Sequence, residues 1–212
     1  CKKIAKLLLL KKKLKNLSKE FFSCRETLNG KEFFQLDRSL VEWLGIRGYG
    51  VHMLAYTRQD NSYKIWIPKR NKNKLVEPSK LDNTVAGGIK TGENIYDALK
   101  REALEEAGIG MSKLKKAKLV GTINYSWKNK LYTVRRDTLY IFDLEVNKNF
   151  RPYCLDGEVD EFQLLDWKKV LKLVQDTNKF KNNCALVVAN FLVRHGLLNN
   201  KNEKHYEEIL RL

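Results

Sequence analysis

The sequence predicts an α+β fold. Stretches rich in β-branched and aromatic residues begin after Gly48 and recur as far as Trp167. One long helix, Asn94 to Ala107, is embedded among them, and helical segments close the chain. No internal repeat and no Pro- or Ser-rich linker divides the 212 residues, which suffice for one full core plus a small appendage or for two small domains.

The elements follow in order. Leucines and lysines from Lys2 to Leu17 alternate at roughly helical spacing, and residues 1–19 carry eight lysines and no acid. This segment reads as a solvated helix or tail, or as an amphipathic basic helix on a membrane or RNA. A start at Cys1 rather than Met reads as a missing or processed N-terminus. Asp37 to Gly45 predicts a short helix stopped by its glycine. Residues 1–47 are expected to form a basic extension, or else a shortened or truncated upstream domain, and residues 48–212 the main domain with its C-terminal helices.

Val51 to Thr57 and Tyr63 to Ile67 predict a hairpin around the polar Gln59-Asp60-Asn61-Ser62, followed by a Lys- and Asn-rich loop over 68–80. Thr84 to Ala86 predicts a short strand running into Gly87-Gly88. Asn94 is a candidate N-cap for the long helix, Asp97 complements its first turn, and Gly108 stops it. Strands are expected at Val120–Trp127, Val134–Val146 and Phe162–Trp167. Helices are expected at Lys168–Val174, Asn183–Arg194 and Tyr206–Leu212.

Forty-one Lys and Arg against 25 Asp and Glu leave a net charge of +16, which favours polyanionic partners. Nucleotides, nucleic acid and an anionic membrane all fit, although much of the excess sits in the N-terminal segment. No apolar run approaches the roughly 20 residues of a membrane span, and Leu7–Leu10 falls short of a signal-peptide core of about 7–15 residues. A cytoplasmic protein is expected. The four cysteines, at 1, 24, 154 and 184, lack metal-ligand spacing and read as reduced, with Cys184 in the core.

The chemistry concentrates between Gly87 and Ile109. Glu102, Glu105 and Glu106 stand at i, i+3 and i+4 and share one helix face. Like charges at that spacing are destabilising, so a fold that keeps them usually supplies a cation. Oxygen ligands without His or Cys point to Mg²⁺, with Mn²⁺ as the alternative, rather than to Zn²⁺. Arg101, four residues before Glu105, is placed to orient that carboxylate. Gly87 and Gly88 allow close approach of a phosphate to the backbone. An isolated Glu-rich face would more often be solvated surface.

Gly87, five residues, Glu93, seven residues, Arg101-Glu102, then Glu105-Glu106, Gly108 and Ile109 together resemble the Nudix box at every defined position. The resemblance implies a Nudix fold, with a mixed sheet sandwiched between helices, and a pyrophosphohydrolase. It implies metal binding by Glu102, Glu105 and Glu106, with Glu93 as a further candidate, and an orienting role for Arg101. The catalytic base varies in location within the family. Glu105 and Glu106 are the candidates in the box, and Glu158 or Glu161 outside it.

Residues upstream of the box narrow the resemblance. Gly50-Val51-His52, Ile65 to Arg70 and Lys80 to Gly88 are similar to the Nudix branch related to thiamine pyrophosphokinase. That similarity implies thiamine diphosphate or its oxidised analogues as substrate. Lys69, Arg70 and Lys80 are then candidate phosphate ligands. Trp66, Tyr125 and Trp127 are candidate stacking faces, and His52 is a candidate substrate contact. For Trp66 and His52 the plainer readings are a core residue and a hydrogen-bonded strand residue. The alternatives are a nucleotide-type Nudix hydrolase acting on ADP-ribose, a dinucleoside polyphosphate or capped RNA, and a catalytically silent diphosphate sensor. Nucleic acid is not favoured, since no RNA-binding motif is recognisable. An isomerase of isopentenyl diphosphate type, which needs a cysteine in a particular context, finds none between Cys24 and Cys154.

Overall fold

The computed structural model describes residues 2–59, 62–74, 76–128, 133–176 and 178–211. Asp60 and Asn61 of the expected hairpin turn lie outside the described residues, as do Cys1 and the terminal Leu212. In chain order the elements are α1 (Lys2–Leu10), β1 (Phe21–Cys24), β2 (Phe34–Asp37), α2 (Arg38–Val41), β3 (Arg47–Gln59), β4 (Ser62–Arg70), β5 (Val85–Gly88), α3 (Ile95–Ala107), α4 (Met111–Leu114), β6 (Lys118–Lys128), β7 (Val134–Glu145), β8 (Val159–Asp166), α5 (Trp167–Gln175), α6 (Asn182–Arg194) and α7 (Tyr206–Ile209).

The main sheet runs β6-β7-β3-β4-β8, with β5 also paired to β3. Its centre is parallel, β3 with β7, and its other pairings are antiparallel. The length of β3 explains the branching. Residues 50–53 pair with β5, whereas residues 56–59 pair with β4. Period-two alternation sends Tyr49, Val51, Met53 and Ala55 to one face and Leu54 and Tyr56 to the other. The first face is covered by Ala98, Leu99, Ala103 and Ala107 of α3. Val170 of α5 and Val187, Val188 and Phe191 of α6 cover the second. The result is the expected α+β sandwich, a mixed sheet between helices.

The long helix has the expected ends. Asn94 accepts from the N–H groups of Tyr96 and Asp97, and Asp97 returns a bond to Asn94, completing a capping box. Gly108 takes a left-handed φ of 63°, and Ile109 donates back to the Ala103 carbonyl, so the helix stops in a Schellman-type turn. Other boundaries move. β8 begins at Val159, earlier than expected, and Trp167 opens α5 instead of ending the strand, because Asp166 caps the helix through Lys168 N–H.

The N-terminal segment departs most from expectation. The helix ends at Leu10, and Ala5 is buried with Cys24, Leu36 and Leu40, flanked by Leu8 and Leu14. It therefore packs on the β1–β2 hairpin, which the sequence reading lacked, instead of trailing as a solvated tail. The hairpin is itself joined to the main sheet: the Tyr49 hydroxyl donates to the Glu26 carbonyl at 2.9 Å. The helix expected from Asp37 is present but spans only Arg38–Val41, with Asp37 as its cap. Cys24, Cys154 and Cys184 are free thiols, in line with the reduced reading.

Candidate functional site

α3 positions the glutamates. Its apolar stripe packs on the sheet, and the same register turns Glu102 and Glu106 toward β5, leaving them 9% and 6% exposed. Glu106 Oε2 accepts from the Ala86 N–H at 2.7 Å. Glu102 lies against Gly87 so closely that a Cβ there would overlap its carboxylate. The glycine is therefore required by proximity, because its own backbone has no left-handed φ.

Arg101 sits at the centre of the cluster. Nε donates to Glu93 at 2.6 Å, Nη1 to Glu102 at 2.6 Å and more loosely to Glu105 at 3.4 Å, and Nη2 to the Gly88 carbonyl at 3.0 Å. Burial raises the Glu102 carboxyl, and Arg101 only partly offsets it. Glu106 is pushed well above the usual carboxylate range by burial and by the charges of Glu102 and Asp82. Glu93 goes the other way: against its burial, Arg101 and the Lys90 N–H hold it below its ordinary value.

Among the described residues, no three His, Cys, Asp or Glu side chains stand converged as a ready-made metal cage. The guanidinium of Arg101 lies among the carboxylates and draws three of them to itself. The donor set nevertheless fits a hard divalent cation. It is all oxygen, it contains two desolvated carboxylates four residues apart, and one arginine is shared by three glutamates, Glu93, Glu102 and Glu105. Glu102, Glu105 and Glu106 would hold such an ion. Glu93 is committed to Arg101, which places it as an orienting partner.

The remaining site candidates divide by position. Arg70 is 7% exposed and locked in a 2.6 Å ion pair with Asp82, with its other nitrogens bonded to the Val76 and Glu77 carbonyls. Against burial, Lys181 and Arg70 hold Asp82 at about 2. His52 is buried and bonded to Asn83 at 2.7 Å, and burial lowers it to about 4, so it is neutral at pH 7. Trp66 is packed edge-on against Phe150 in the core, with Arg151 over its ring at 5.9 Å. Lys80 pairs with Glu77 at 2.9 Å, and Lys69 is half-buried on β4. Glu158 pairs with Lys74, and Glu161 is exposed on β8 opposite Lys69.

For Cys184, Tyr125 and Trp127 the structure adds partners that the sequence did not indicate. Cys184 donates to Asp82 at 2.6 Å and completes a buried network with Asn83 and Lys181. Tyr125 and Trp127 form a half-buried ring pair with centroids 5.3 Å apart, and Tyr125 bonds Asp137, which also receives Arg135 at 2.8 Å. A depression of about 460 Å³ beside the end of α3 is lined by Trp66, Arg151, Tyr153 and Phe162, and by none of the box glutamates.

Comparisons with known proteins bear on the family and the fold. A family model described as NUDIX domain matches residues 47–184. Nudix hydrolase 20, chloroplastic, of Arabidopsis thaliana is 36% identical over 193 residues, covering 91% of this chain and 51% of that protein. Nudix hydrolase 24, chloroplastic, of the same plant is 37% identical over 179 residues, covering 84% of this chain and 49% of its own length. The chain thus spans about half the length of these relatives. Among solved structures, DR0079 from Deinococcus radiodurans shares the fold at a TM-score of 0.62 and 20% identity, covering 81% of this chain and 98% of that one. Among the described residues, no helix is long and apolar enough to cross a membrane. On the matched domain, the plant relatives and the box itself, the chain belongs to the Nudix hydrolase family.

Proposed function

We propose that the chain hydrolyses the pyrophosphate bond of an organic diphosphate, giving a monophosphate and phosphate, with Mg²⁺ or Mn²⁺ at Glu102, Glu105 and Glu106. The observation that carries this reading is the pair of buried carboxylates, Glu102 and Glu106, held against the β5 backbone with too little positive charge around them. A divalent ion there would neutralise the diphosphate and raise the acidity of the attacking water.

The chain's own groups do the rest. Arg101 fixes Glu93 and Glu102 while bracing the Gly88 carbonyl, so the helix and the glycine strand keep one spacing. Glu106 is held by the Ala86 N–H. Glu105 has the most open side chain of the three and only a 3.4 Å contact to Arg101, which suits it to accept the proton of the attacking water. Gly87 and Gly88 make room for the Glu102 carboxylate and the Phe22 ring, which pack where a side chain would stand. Lys69 is the proposed cation on the neighbouring strand. Buried Arg70 and His52 serve as supports behind the site.

The favoured substrates are thiamine diphosphate and its oxo and oxy analogues. The upstream resemblance supports them, as does the Tyr125–Trp127 pair, which offers a ring platform with polar neighbours. The deciding experiment is phosphate release in Mg²⁺ from a panel of these compounds together with ADP-ribose, a dinucleoside polyphosphate and capped RNA. A thiamine monophosphate product from the preferred substrate supports the full reading. Preference for a nucleotide keeps the chemistry and overturns the substrate. Tight binding without turnover of any member makes the protein a sensor.

A further inference from the structure

The N-terminal hairpin reaches the glutamate site. The Thr91 N–H, in the loop between β5 and α3, donates to the Phe21 carbonyl at 2.8 Å. The Phe22 ring lies on Gly88, where a Cβ would meet Phe22 Cζ at 2.5 Å. The Gly88 carbonyl is the one braced by Arg101. Arg38, which follows β2, holds its guanidinium 5.7 Å from the centroid of the same Phe22 ring.

Glu20 ties this corner together. One oxygen pairs with Arg38 at 2.8 Å and the other with Lys90 of the box loop at 3.0 Å. A single carboxylate cannot neutralise two cations, so positive charge is left over at the rim. The Arg38 side chain is 51% exposed, and an exposed pair of this kind is weak enough for a more highly charged anion to displace Glu20.

We propose that Arg38 and Lys90, tethered by Glu20, form a phosphate-gripping rim that the N-terminal hairpin contributes to the hydrolytic site, taking the phosphate oxygens of the organic diphosphate. The inference rests on the hydrolase reading above. Phe22 pre-orients the guanidinium by cation–π contact, and its planar fork suits two phosphate oxygens, which a lysine ammonium matches only as a point charge.

The test uses the full chain with Arg38→Gln, Arg38→Lys and Glu20→Gln, and with Lys11→Gln as a charge control on the N-terminal segment. Two quantities are read: kcat and KM with a diphosphate the wild type turns over, and calorimetric binding of methylenediphosphonate in Mg²⁺. Loss of one charged hydrogen-bonding partner predicts roughly tenfold weaker probe binding and a similar rise in KM for Arg38→Gln, with kcat nearly unchanged. Arg38→Lys should recover part of the loss. Glu20→Gln should tighten binding, a sign that general damage to the fold does not produce. Lys11→Gln should match the wild type. Unchanged probe affinity in both Arg38→Gln and Glu20→Gln overturns the rim, as does an equal loss in Lys11→Gln or a wild type that does not bind the probe. A wild type that binds the probe through Arg38 but hydrolyses no diphosphate overturns the hydrolase reading and leaves the rim standing.

Discussion

Replacing Gly87 with alanine isolates the glutamate site from the rest of the fold. The added methyl would stand closer than 3.0 Å to Cγ, Cδ and Oε1 of Glu102, so that side chain must leave its place. Backbone strain contributes nothing, since Gly87 is absent from the residues with left-handed φ. Displacing Glu102 breaks its 2.6 Å pair with Arg101, where the two side chains are 11% and 20% exposed. A hydrogen bond to a charged group contributes about 1.5–3 kcal/mol. The reduced freedom of the unfolded chain returns about 0.4–1 kcal/mol. The net destabilisation is then roughly 1–2 kcal/mol, or a fall in Tm of about 2–8 °C for a chain of this size. Activity should fall much further, because misplacing a catalytic group by about 1 Å is worth around 100-fold in rate. Thermal unfolding and phosphate release on the same preparation separate the two effects. A Gly87→Ala protein that keeps kcat within about threefold of wild type would refute the placement of Glu102 in the reaction.

Three further outcomes are expected. Glu106→Gln should lower kcat by about 100-fold or more, as an interaction worth several kcal/mol in the transition state is removed, while near-ultraviolet circular dichroism stays native; retained turnover would remove Glu106 from the metal set. Asp82→Ala should destabilise by about 3–5 kcal/mol in urea titration, since Arg70 and Lys181 lose their buried counter-charge; a change below about 1 kcal/mol would show that those cations find water instead. The acid limb of stability should carry the mark of His52. Its folded value of about 4 lies below the ordinary 6.5, so its contribution is complete above pH 6.5 and is lost as the pH falls toward 4, by up to roughly 3 kcal/mol. His52→Gln should flatten that window, and an unchanged acid limb would refute the assignment.

Much of this was legible in the sequence because local rules and the global fold agree. α3 could be read from its caps, Asn94 and Gly108, and the box from its spacing. β3 and β4 could be read from their β-branched and aromatic content. The β1–β2 hairpin could not, for two physical reasons. Its strands are four residues each, and Phe21, Phe33 and Phe34 remain exposed, so no alternation marks a buried face. The only local signal was the pair of Phe-Phe steps at 21–22 and 33–34. The same limit applies to Arg70 and His52. Their residue types fit a phosphate site, but their partners, Asp82 and Asn83, lie 12 and 31 positions away and become neighbours only when β4, β5 and β3 pair.

The distribution of charge explains why a protein at +16 keeps an acidic notch at its centre. Asp82 is matched from behind by Arg70 at 2.6 Å and Lys181 at 3.6 Å, so it adds little net field at the surface. The box is less fully matched: among the described residues Arg101 is the cation paired with Glu93, Glu102 and Glu105, and Glu106 is bonded to a backbone N–H with Lys181 acting on it from farther off. The undermatched charge of Glu102, Glu105 and Glu106 thereby gathers where the proposed cation would bind. On the proposed reading, a diphosphate would be attracted to the basic surface at long range and repelled by the glutamates unless a cation were held there. A divalent cation held by Glu102, Glu105 and Glu106 would supply the charge that turns that repulsion into attraction. The same reading gives the tethered pair of Arg38 and Lys90 a role distinct from bulk charge. Lys90 belongs to the box loop and shares Glu20 with Arg38, so their charge is tied to the box by contact and not by the chain's net charge.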